Sequence, residues 1–397
     1  MTAALDAPRL LPRLGGVPLA WRNLVANKRR LLRSSAGIAF AALLMMVQLG
    51  FEQGFFEASL SAVRALDGDL FVFSAYKYRF GTRDPIDHSG LDKVRAVAGI
   101  ASAEPLYADW QEFFWTSPID RKPYLVRIFA FDPDAPAVFS LSGIKDQQTL
   151  LKNDDAVLVD RRARAFLGMD GTTKETDLNG QHVQIVGSFA LGPDFMSDGT
   201  VVISDRLFAK LLPGNRDSVA KLPIEAIVIK LRSGEAASVV QSALRAALPD
   251  TSSVMTKAEI IDFERKFQAE LSSAGPIFWL GAIVGFVVGM LISYQVIYTD
   301  LSDQLPQYAT LKAIGYKTSY LIRSVLGQAA LSALAGYVPA WLACTAAYRI
   351  IATFALLPLH MTLHLTLLTL GLTLGMCLLA AALAVRRVIS ADPAEIF

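Results

Sequence analysis

Cysteine and histidine are scarce in this sequence, whose 397 residues include two Cys and four His. This shortage excludes a disulfide scaffold and leaves few ligands for a metal centre. Charged residues are also few, at 19 %, against about 25 % in an ordinary soluble domain. The formal net charge is only +2. A strongly basic nucleic-acid-binding domain is therefore not indicated, and no nucleic-acid partner is expected.

Motifs of nucleotide-binding and hydrolytic enzymes are absent as well. The P-loop pattern G-x-x-x-x-G-K-[ST] does not occur, and Gly315-Tyr-Lys-Thr318 lacks the strand and glycine that should precede it. No G-x-S-x-G, H-E-x-x-H or C-x-x-C sequence is present. His360 and His364 could share one helix face and hold a metal, although an interfacial pair at the lipid head groups is the simpler interpretation. We predict that the chain is not an enzyme and holds no cofactor or metal.

Long apolar runs dominate what the sequence does contain. Hydrophobic residues make up 53 % of the chain and gather in stretches without Asp, Glu, Lys or Arg. These stretches are 34–51, 271–299, 324–348 and 350–385. Even the shortest, of 18 residues, covers roughly 27 Å at about 1.5 Å per residue, close to the ~30 Å hydrocarbon core. We predict four transmembrane helices, the first an uncleaved anchor, within 34–56, 271–299, 324–348 and, after an outer turn, 349–385.

The charges that flank these runs predict the orientation of the chain. Residues 1–33 carry seven Lys or Arg and one acidic residue, and the loop 300–323 carries three and two. Both segments, and the tail 386–397, belong on the cytoplasmic side, so both termini are cytoplasmic. The region Glu52–Glu270 then lies outside, with 25 basic and 31 acidic residues. The small net charge is thus the sum of a basic inner face and an acidic outer one.

The external region, 57–270, is predicted to be a large α+β domain inserted between the first two transmembrane helices. Aromatic or alternating patterns predict strands at Asp69–Tyr76, Tyr107–Trp115, Tyr124–Phe131, Val157–Val159, His182–Val186, Val201–Ser204 and Ile224–Leu231. Helical spacing predicts helices at Leu91–Val97, Asp205–Leu212 and Ala236–Leu248. We divide the domain into an inner part, 57–115 and 224–270, and an outer part, 116–223.

Two patterns bear on the packing and movement of this domain. In the strand Tyr124–Phe131, the alternation places Arg127 on the face that is more exposed to water. From Lys257 a helical pattern runs towards the second transmembrane helix, which would link the domain mechanically to the membrane. A flexible break at residues 272–275 is the alternative.

Two further patterns concern the membrane. A basic amphipathic helix is predicted to lie on the inner leaflet before the first transmembrane helix. Its marker residues are Trp21, Arg22, Lys28, Arg29 and Arg30. In the second transmembrane helix, a small residue recurs every four positions, at Gly281, Gly285 and Gly289. Such a stripe allows close approach of another helix, either of the same chain or of a second copy.

The cytoplasmic loop contains a short amphipathic helix, predicted over Leu305–Ile314 and ended by Gly315. Its apolar stripe consists of Tyr308, Leu311 and Ile314. These side chains would be unfavourably exposed in water, so we interpret them as a docking surface for a protein partner, with the membrane surface as the alternative.

The order of these elements resembles the FtsX/MacB-type ABC permeases. The resemblance is carried by the loop Gln304-x-x-x-Tyr-Ala-Thr-Leu-Lys-Ala-Ile-Gly-Tyr316 and by the closing Asp392-Pro-Ala-Glu395. Pro18-Leu-Ala-Trp-Arg-Asn-Leu24 and Gln48-Leu-Gly-Phe51 look most like the DevC branch.

This resemblance implies a homodimeric permease that works with a separate ATPase, which would bind ATP and Mg. The loop would be the coupling helix seated on that ATPase, with contacts from Gln304, Gln307, Tyr308, Leu311, Lys312, Ile314 and Gly315. Gln304 and Gln307 stand where the family usually has an acidic residue and an arginine. The external domain would be periplasmic, would engage an adaptor protein and, through it, an outer-membrane duct, and the whole would reside in the bacterial inner membrane.

Three roles are compatible with that architecture. The first is export of a glycolipid or another amphiphile through a tripartite system. The second is FtsX-like signal transduction to a cell-wall hydrolase, and the third is LolC-like release of lipoproteins. The size of the external region, 219 residues from Glu52 to Glu270, favours the first, because FtsX-like members tend to carry a smaller domain.

Overall fold

The computed structural model describes residues 28–194, 196–212, 218–272, 274–303, 314, 318–356 and 358–390. These residues form two compact units. The helical unit comprises the described residues of Met1–Gly50, Phe278–Ala347 and Met361–Phe397. The sheet unit comprises those of Phe51–Ile277 and Tyr348–His360.

The elements follow one another as a long helix, a mixed run of strands and short helices, and three more long helices. In chain order they are α1 (Lys28–Ser59), α2 (Ser61–Ala65), β1 (Leu70–Ser74), α3 (His88–Arg95), β2 (Ile100–Thr116), β3 (Pro123–Phe131), α4 (Ser142–Lys145), β4 (Ala156–Asp160), β5 (Glu175–Leu178), β6 (Gln181–Phe189), β7 (Thr200–Ser204), α5 (Asp205–Leu211), β8 (Ala226–Leu231), α6 (Ala237–Ala247), β9 (Ser252–Thr256), α7 (Lys257–Lys266), α8 (Ala274–Asp303), α9 (Thr318–Ala355) and α10 (Leu363–Ser390). Short 3₁₀ turns lie at Gln148–Lys152, Ala165–Leu167 and Val219–Lys221.

The four predicted transmembrane helices are confirmed as long apolar helices. The segments long and apolar enough to cross a bilayer are Ser35–Ser59, Ala274–Asp303, Ile322–Phe354 and Leu363–Arg386. In hydrocarbon the backbone must satisfy its own hydrogen bonds, and a helix does so within one segment. The predicted fold class, a four-helix membrane domain with an inserted α+β domain, is confirmed.

The outer turn between the last two transmembrane helices begins later than predicted. The sequence places it from residue 349, but α9 continues through Arg349 to Ala355. The helix ends at Leu356, which has a φ of 57°, and Pro358 follows two residues later. A left-handed residue followed closely by proline is a common helix stop, and the charge of Arg349 does not interrupt the helix.

The sheet unit contains a nine-stranded mixed sheet in the order β3-β7-β4-β6-β5-β2-β8-β1-β9. Strand β2 is long enough to pair with different strands along its two halves. Its first part, Ile100–Leu106, pairs with β8, and its second part, from Tyr107 onward, pairs with β3. Strands β3–β7, which come from residues 116–223, therefore join the strands from the flanking segments through β2.

Both faces of this sheet are buried. In β1, Leu70 and Val72 belong to one apolar cluster, and Phe71 and Phe73 belong to another. Helices α3, α5 and α6 add apolar side chains to the first cluster, and α2, α4 and α7 add theirs to the second. A strand covered on both faces is apolar at successive positions rather than at every second one.

The predicted continuous helix from Lys257 into the second transmembrane helix is interrupted. Helix α7 passes into a π-helical turn, Phe267–Leu271, and Ser272 then adopts an extended conformation. The Ser272 hydroxyl accepts a hydrogen bond at 3.2 Å from the N–H of Ala274, the first residue of α8. Pro276 lies in the first turn of α8, where proline is tolerated. A serine that bonds the backbone locally therefore favours two helices over one.

Candidate functional site

The glycine stripe of the second transmembrane helix packs against α1 of the same chain. A Cβ added at Gly281 would lie 2.6 Å from Cδ of Gln48. One added at Gly289 would lie 2.6 Å from Cβ of Ala41 on α1 and 2.5 Å from Sδ of Met376 on α10. At Gly285 the nearest atom would be Cγ of Met45, at 3.2 Å. The stripe thus lets the two helices approach more closely than any larger side chain would allow.

Another close helix contact was not predicted. A Cβ at Gly336 of α9 would lie 2.7 Å from Cγ2 of Ile38 and 3.0 Å from the carbonyl oxygen of Ser35, both on α1. Gly336 is the centre of a four-residue repeat of small residues, Ser332, Gly336 and Ala340, which could have indicated this contact. Helix α1 is therefore contacted through glycine by both α8 and α9.

Hydrogen bonds join α9 to α10. The Tyr337 hydroxyl donates to the carbonyl oxygen of Thr366 at 2.7 Å, and Nε1 of Trp341 donates to Oγ1 of the same threonine at 3.3 Å. Polar groups in a membrane helix bundle are stabilised when they bond across helices. These bonds hold the last two transmembrane helices together.

Most residues predicted for the cytoplasmic contacts lie outside the described part of the chain. These are Trp21, Arg22, Gln304, Gln307, Tyr308, Leu311, Lys312 and Gly315. Ile314 is described, and 71 % of its surface is exposed. Lys28, Arg29 and Arg30 form the first turn of α1, which runs without a break into the first transmembrane helix. The membrane-surface role of the N-terminal residues and the ATPase contacts of the loop residues stay predictions.

The histidine pair does not share a helix face. Helix α10 begins at Leu363, so it carries His364 but not His360. His360 lies in the preceding turn, where Nδ1 is 3.2 Å from the carbonyl oxygen of Pro358. The helical geometry that a two-histidine metal site needs is therefore not formed.

A buried ion pair anchors the segment after β1. Nζ of Lys77 donates hydrogen bonds to Glu225 and, at 2.8 Å, to the carbonyl oxygen of Thr82. The two charged side chains are 0 % and 2 % exposed. Burial lowers the pKa of Lys77 and raises the pKa of Glu225, while the attraction between the two opposes both shifts. The pair is closed to solvent, so its role is to hold the fold rather than to act on a ligand.

Arg127 is buried, contrary to the prediction of a wetter strand face. Its guanidinium donates to Asp194 at 2.6 Å and to the Thr200 hydroxyl, and it lies over the rings of Trp110 and Phe129. Its side chain is 1 % exposed. A paired and stacked arginine is stable inside a protein because every part of the guanidinium has a partner. The alternation along the strand could not show these partners, which lie about seventy residues away in sequence.

Residues that the structure describes line at least two clefts on the sheet unit. One, of about 260 Å³, lies between the end of β1 and the start of α3 and is lined by polar side chains that include Asp84, Asp87 and Lys93. The other, of about 290 Å³, is lined by the end of α1, by Arg162, by the loop after β6 and by the turn before α10. Both are at the small end of the range for ligand clefts.

Comparison with models of protein families assigns the chain to a family. The family described as MacB-like periplasmic core domain matches residues 34–247, and the family described as FtsX-like permease C-terminal matches residues 279–393. The first match alone covers more than half of the sequence. The chain belongs to the FtsX/MacB-type ABC transporter permeases. It is thus a membrane protein with a periplasmic domain and a transport subunit of the kind that works with an ATPase partner.

Solved structures similar to part of this chain share little sequence with it. The periplasmic region of MacB from Actinobacillus actinomycetemcomitans is 11 % identical, with 51 % of this chain and 96 % of that chain covered and a TM-score of 0.35. The extracellular domain of the noncanonic ABC-type transporter YknZ from Gram-positive bacteria is 10 % identical, with 48 % and 99 % covered and a TM-score of 0.29. A domain of a permease protein from Porphyromonas gingivalis is 14 % identical, with 48 % and 90 % covered and a TM-score of 0.32. A search of curated proteins found no match to this chain.

Proposed function

We propose that the chain is the permease of a tripartite envelope exporter for a glycolipid or another amphiphile, of the DevC branch. The observation that carries the proposal is the nine-stranded sheet inserted between the first two transmembrane helices. Five of its strands, β3–β7, come from residues 116–223. These residues supply the outer part of the external domain, which a minimal external domain would not need. Such a part offers a surface for a periplasmic adaptor and, through it, for an outer-membrane duct.

In this proposal the permease is a homodimer that transmits movement rather than a channel. A separate ATPase binds ATP and Mg, and its closure moves the cytoplasmic ends of the helices. Helix α1 is the best candidate for transmitting this movement to the external domain, because one unbroken helix runs from the basic residues at Lys28 to Ser59. Helix α8 is less suitable, because the extended Ser272 separates it from α7.

The first test concerns the ATPase. Leu311→Asp combined with Ile314→Asp should abolish co-purification of the ATPase from native membranes, because two buried carboxylates would oppose docking of an apolar stripe. The measurement is the amount of ATPase recovered with affinity-tagged permease. A control is Leu334→Asn on α9, which is 43 % exposed and lies outside the loop.

Undiminished ATPase recovery with the double variant would overturn the coupling assignment. The same purification from wild-type membranes distinguishes the three roles. Recovery of an adaptor protein supports tripartite export, whereas recovery of a cell-wall hydrolase or of lipoproteins in place of an adaptor would contradict it.

The second test concerns orientation. Val239→Cys, on α6, introduces a thiol at a position that is 64 % exposed, whereas the native Cys344 and Cys377 are buried. In spheroplasts an impermeant maleimide should label Cys at position 239 and should label a Gln304→Cys variant only after the membrane is opened. The reverse pattern would place the sheet unit in the cytoplasm.

A further inference from the structure

The cleft of about 290 Å³ is lined in part by residues at the ends of helices long and apolar enough to cross a membrane. Its wall includes Glu57 and Ala58 in the last turn of α1, and the stretch that can cross the bilayer ends at Ser59. It also includes Leu356 and Pro358, from the turn between the last two transmembrane helices. Residues at the ends of membrane helices lie at the level of the lipid head groups. The cleft is therefore placed to receive a molecule from the outer leaflet.

The charge in this cleft is positive once internal pairs are counted. Arg64 donates to both carboxylate oxygens of Glu57, so these two charges neutralise each other. Arg162 lines the same cleft, and its guanidinium has no hydrogen bond or ion pair with any residue that the structure describes. The hydroxyl of Ser61, also in the wall, is buried and likewise unpaired among the described residues.

A buried carboxylate holds Arg162 and the opposite wall in place. The side chain of Asp160 accepts hydrogen bonds from the backbone N–H of Arg162 at 3.0 Å, of Leu191 at 3.0 Å and of Gly192 at 2.7 Å. Gly192 has a φ of +97°, and a Cβ there would lie 3.8 Å from the Arg162 guanidinium carbon. The guanidinium is thus positioned over a wall that has no side chain at that point.

We propose that this cleft binds the anionic phosphodiester head group of an amphiphile, with Arg162 as its charged contact. A guanidinium matches the geometry of phosphate oxygens, and the Ser61 hydroxyl can donate a further hydrogen bond once the site is filled. A volume of about 290 Å³ holds a head group, while the acyl chains remain in the bilayer. The inference rests on the proposed export of an amphiphile and narrows that amphiphile to an anionic one.

The test is lipid binding by the full-length protein in detergent, measured by native mass spectrometry. Phosphatidylglycerol should bind more tightly than phosphatidylcholine, and Arg162→Gln should weaken phosphatidylglycerol binding about tenfold, the loss expected for one charge-assisted hydrogen bond. Arg232→Gln, at an exposed arginine outside the cleft, should leave binding unchanged. Glu57→Gln should strengthen binding, because it frees the charge of Arg64.

Three results would overturn the proposal. These are equal binding of the two lipids, unchanged phosphatidylglycerol binding by Arg162→Gln, and equally tight binding of glycerol phosphate, which would indicate a site for a free anion. Recovery of the ATPase and adaptor with Arg162→Gln separates the two proposals. If both partners are recovered but the lipid results are negative, the head-group site fails and the exporter proposal stands.

Discussion

Glu225→Gln should destabilise the sheet unit by about 3–5 kcal/mol, the range for removing one partner of a buried ion pair. The variant leaves Lys77 in a site where its side chain is 0 % exposed. Without the carboxylate, Lys77 must either keep an unpaired buried charge or lose its proton, and both states are costly. The measurement is hydrogen exchange of the β8 amides in the purified full-length protein, from which the free energy of opening follows.

Two matched variants make the interpretation of Glu225→Gln specific. Asp154→Asn removes the partner of Lys210 in a pair whose side chains are 57 % and 39 % exposed, and it should cost under about 1 kcal/mol. Lys77→Met combined with Glu225→Leu removes both buried charges and should recover most of the lost stability. If Glu225→Gln costs no more than Asp154→Asn, the buried pair does not anchor the segment after β1.

Gly289→Val should lower the stability of the helical unit by about 1–3 kcal/mol, the usual cost of overpacking. The first added carbon would meet Sδ of Met376 at 2.5 Å and Cβ of Ala41 at 2.6 Å. The flexible methionine side chain can move aside, but the alanine Cβ is fixed to the backbone of α1. Helices α1 and α8 would therefore have to separate, with loss of contacts along the stripe. The measurement is the thermal denaturation midpoint of the protein in detergent.

Gly371→Val is the control for this variant, because a Cβ at Gly371 meets no atom of the described chain within 4 Å. Both variants put the same β-branched residue into a membrane helix, so the change in helix propensity cancels in the comparison. Equal midpoints for the two variants would contradict the packing role of Gly289. A lower midpoint for Gly371→Val, together with loss of the dimer, would instead place a second copy against α10.

Polar residues that are buried by distant partners were the hardest to predict. The alternation along its strand predicts that Arg127 is exposed. Its burial could not be predicted, because its partners Asp194 and Thr200 are far from it in sequence. Lys77 and Glu225 carry no motif, and they are 148 residues apart. Arg162 likewise has no sequence signal, because its place beside the ends of two membrane helices arises only from the fold.

Local backbone conformation and hydrogen bonding also determine two helix boundaries that hydrophobic periodicity did not predict. A helical pattern extends from Lys257 into the second transmembrane helix, but Ser272 is extended and its hydroxyl accepts a hydrogen bond from the N–H of Ala274, where a new helix begins. A charge at Arg349 suggests the end of a membrane helix, but the helix continues to Ala355 and is ended by Leu356, whose φ is positive, with Pro358 two residues later. Hydrophobic periodicity predicts neither effect. It indicates which face of a helix is apolar, but not which backbone groups form hydrogen bonds with side chains or where the backbone leaves the helical conformation.

The sequence by itself determined the four membrane helices, the inserted α+β domain and the family, because long uncharged runs and local strand patterns depend on neighbouring residues alone. Only the tertiary structure decided which helices the glycine stripe contacts, which charges are buried in pairs and which arginine lines the cleft beside the end of α1. These features depend on residues brought together from distant parts of the chain. Their energies come from burial and pairing, which no local pattern records.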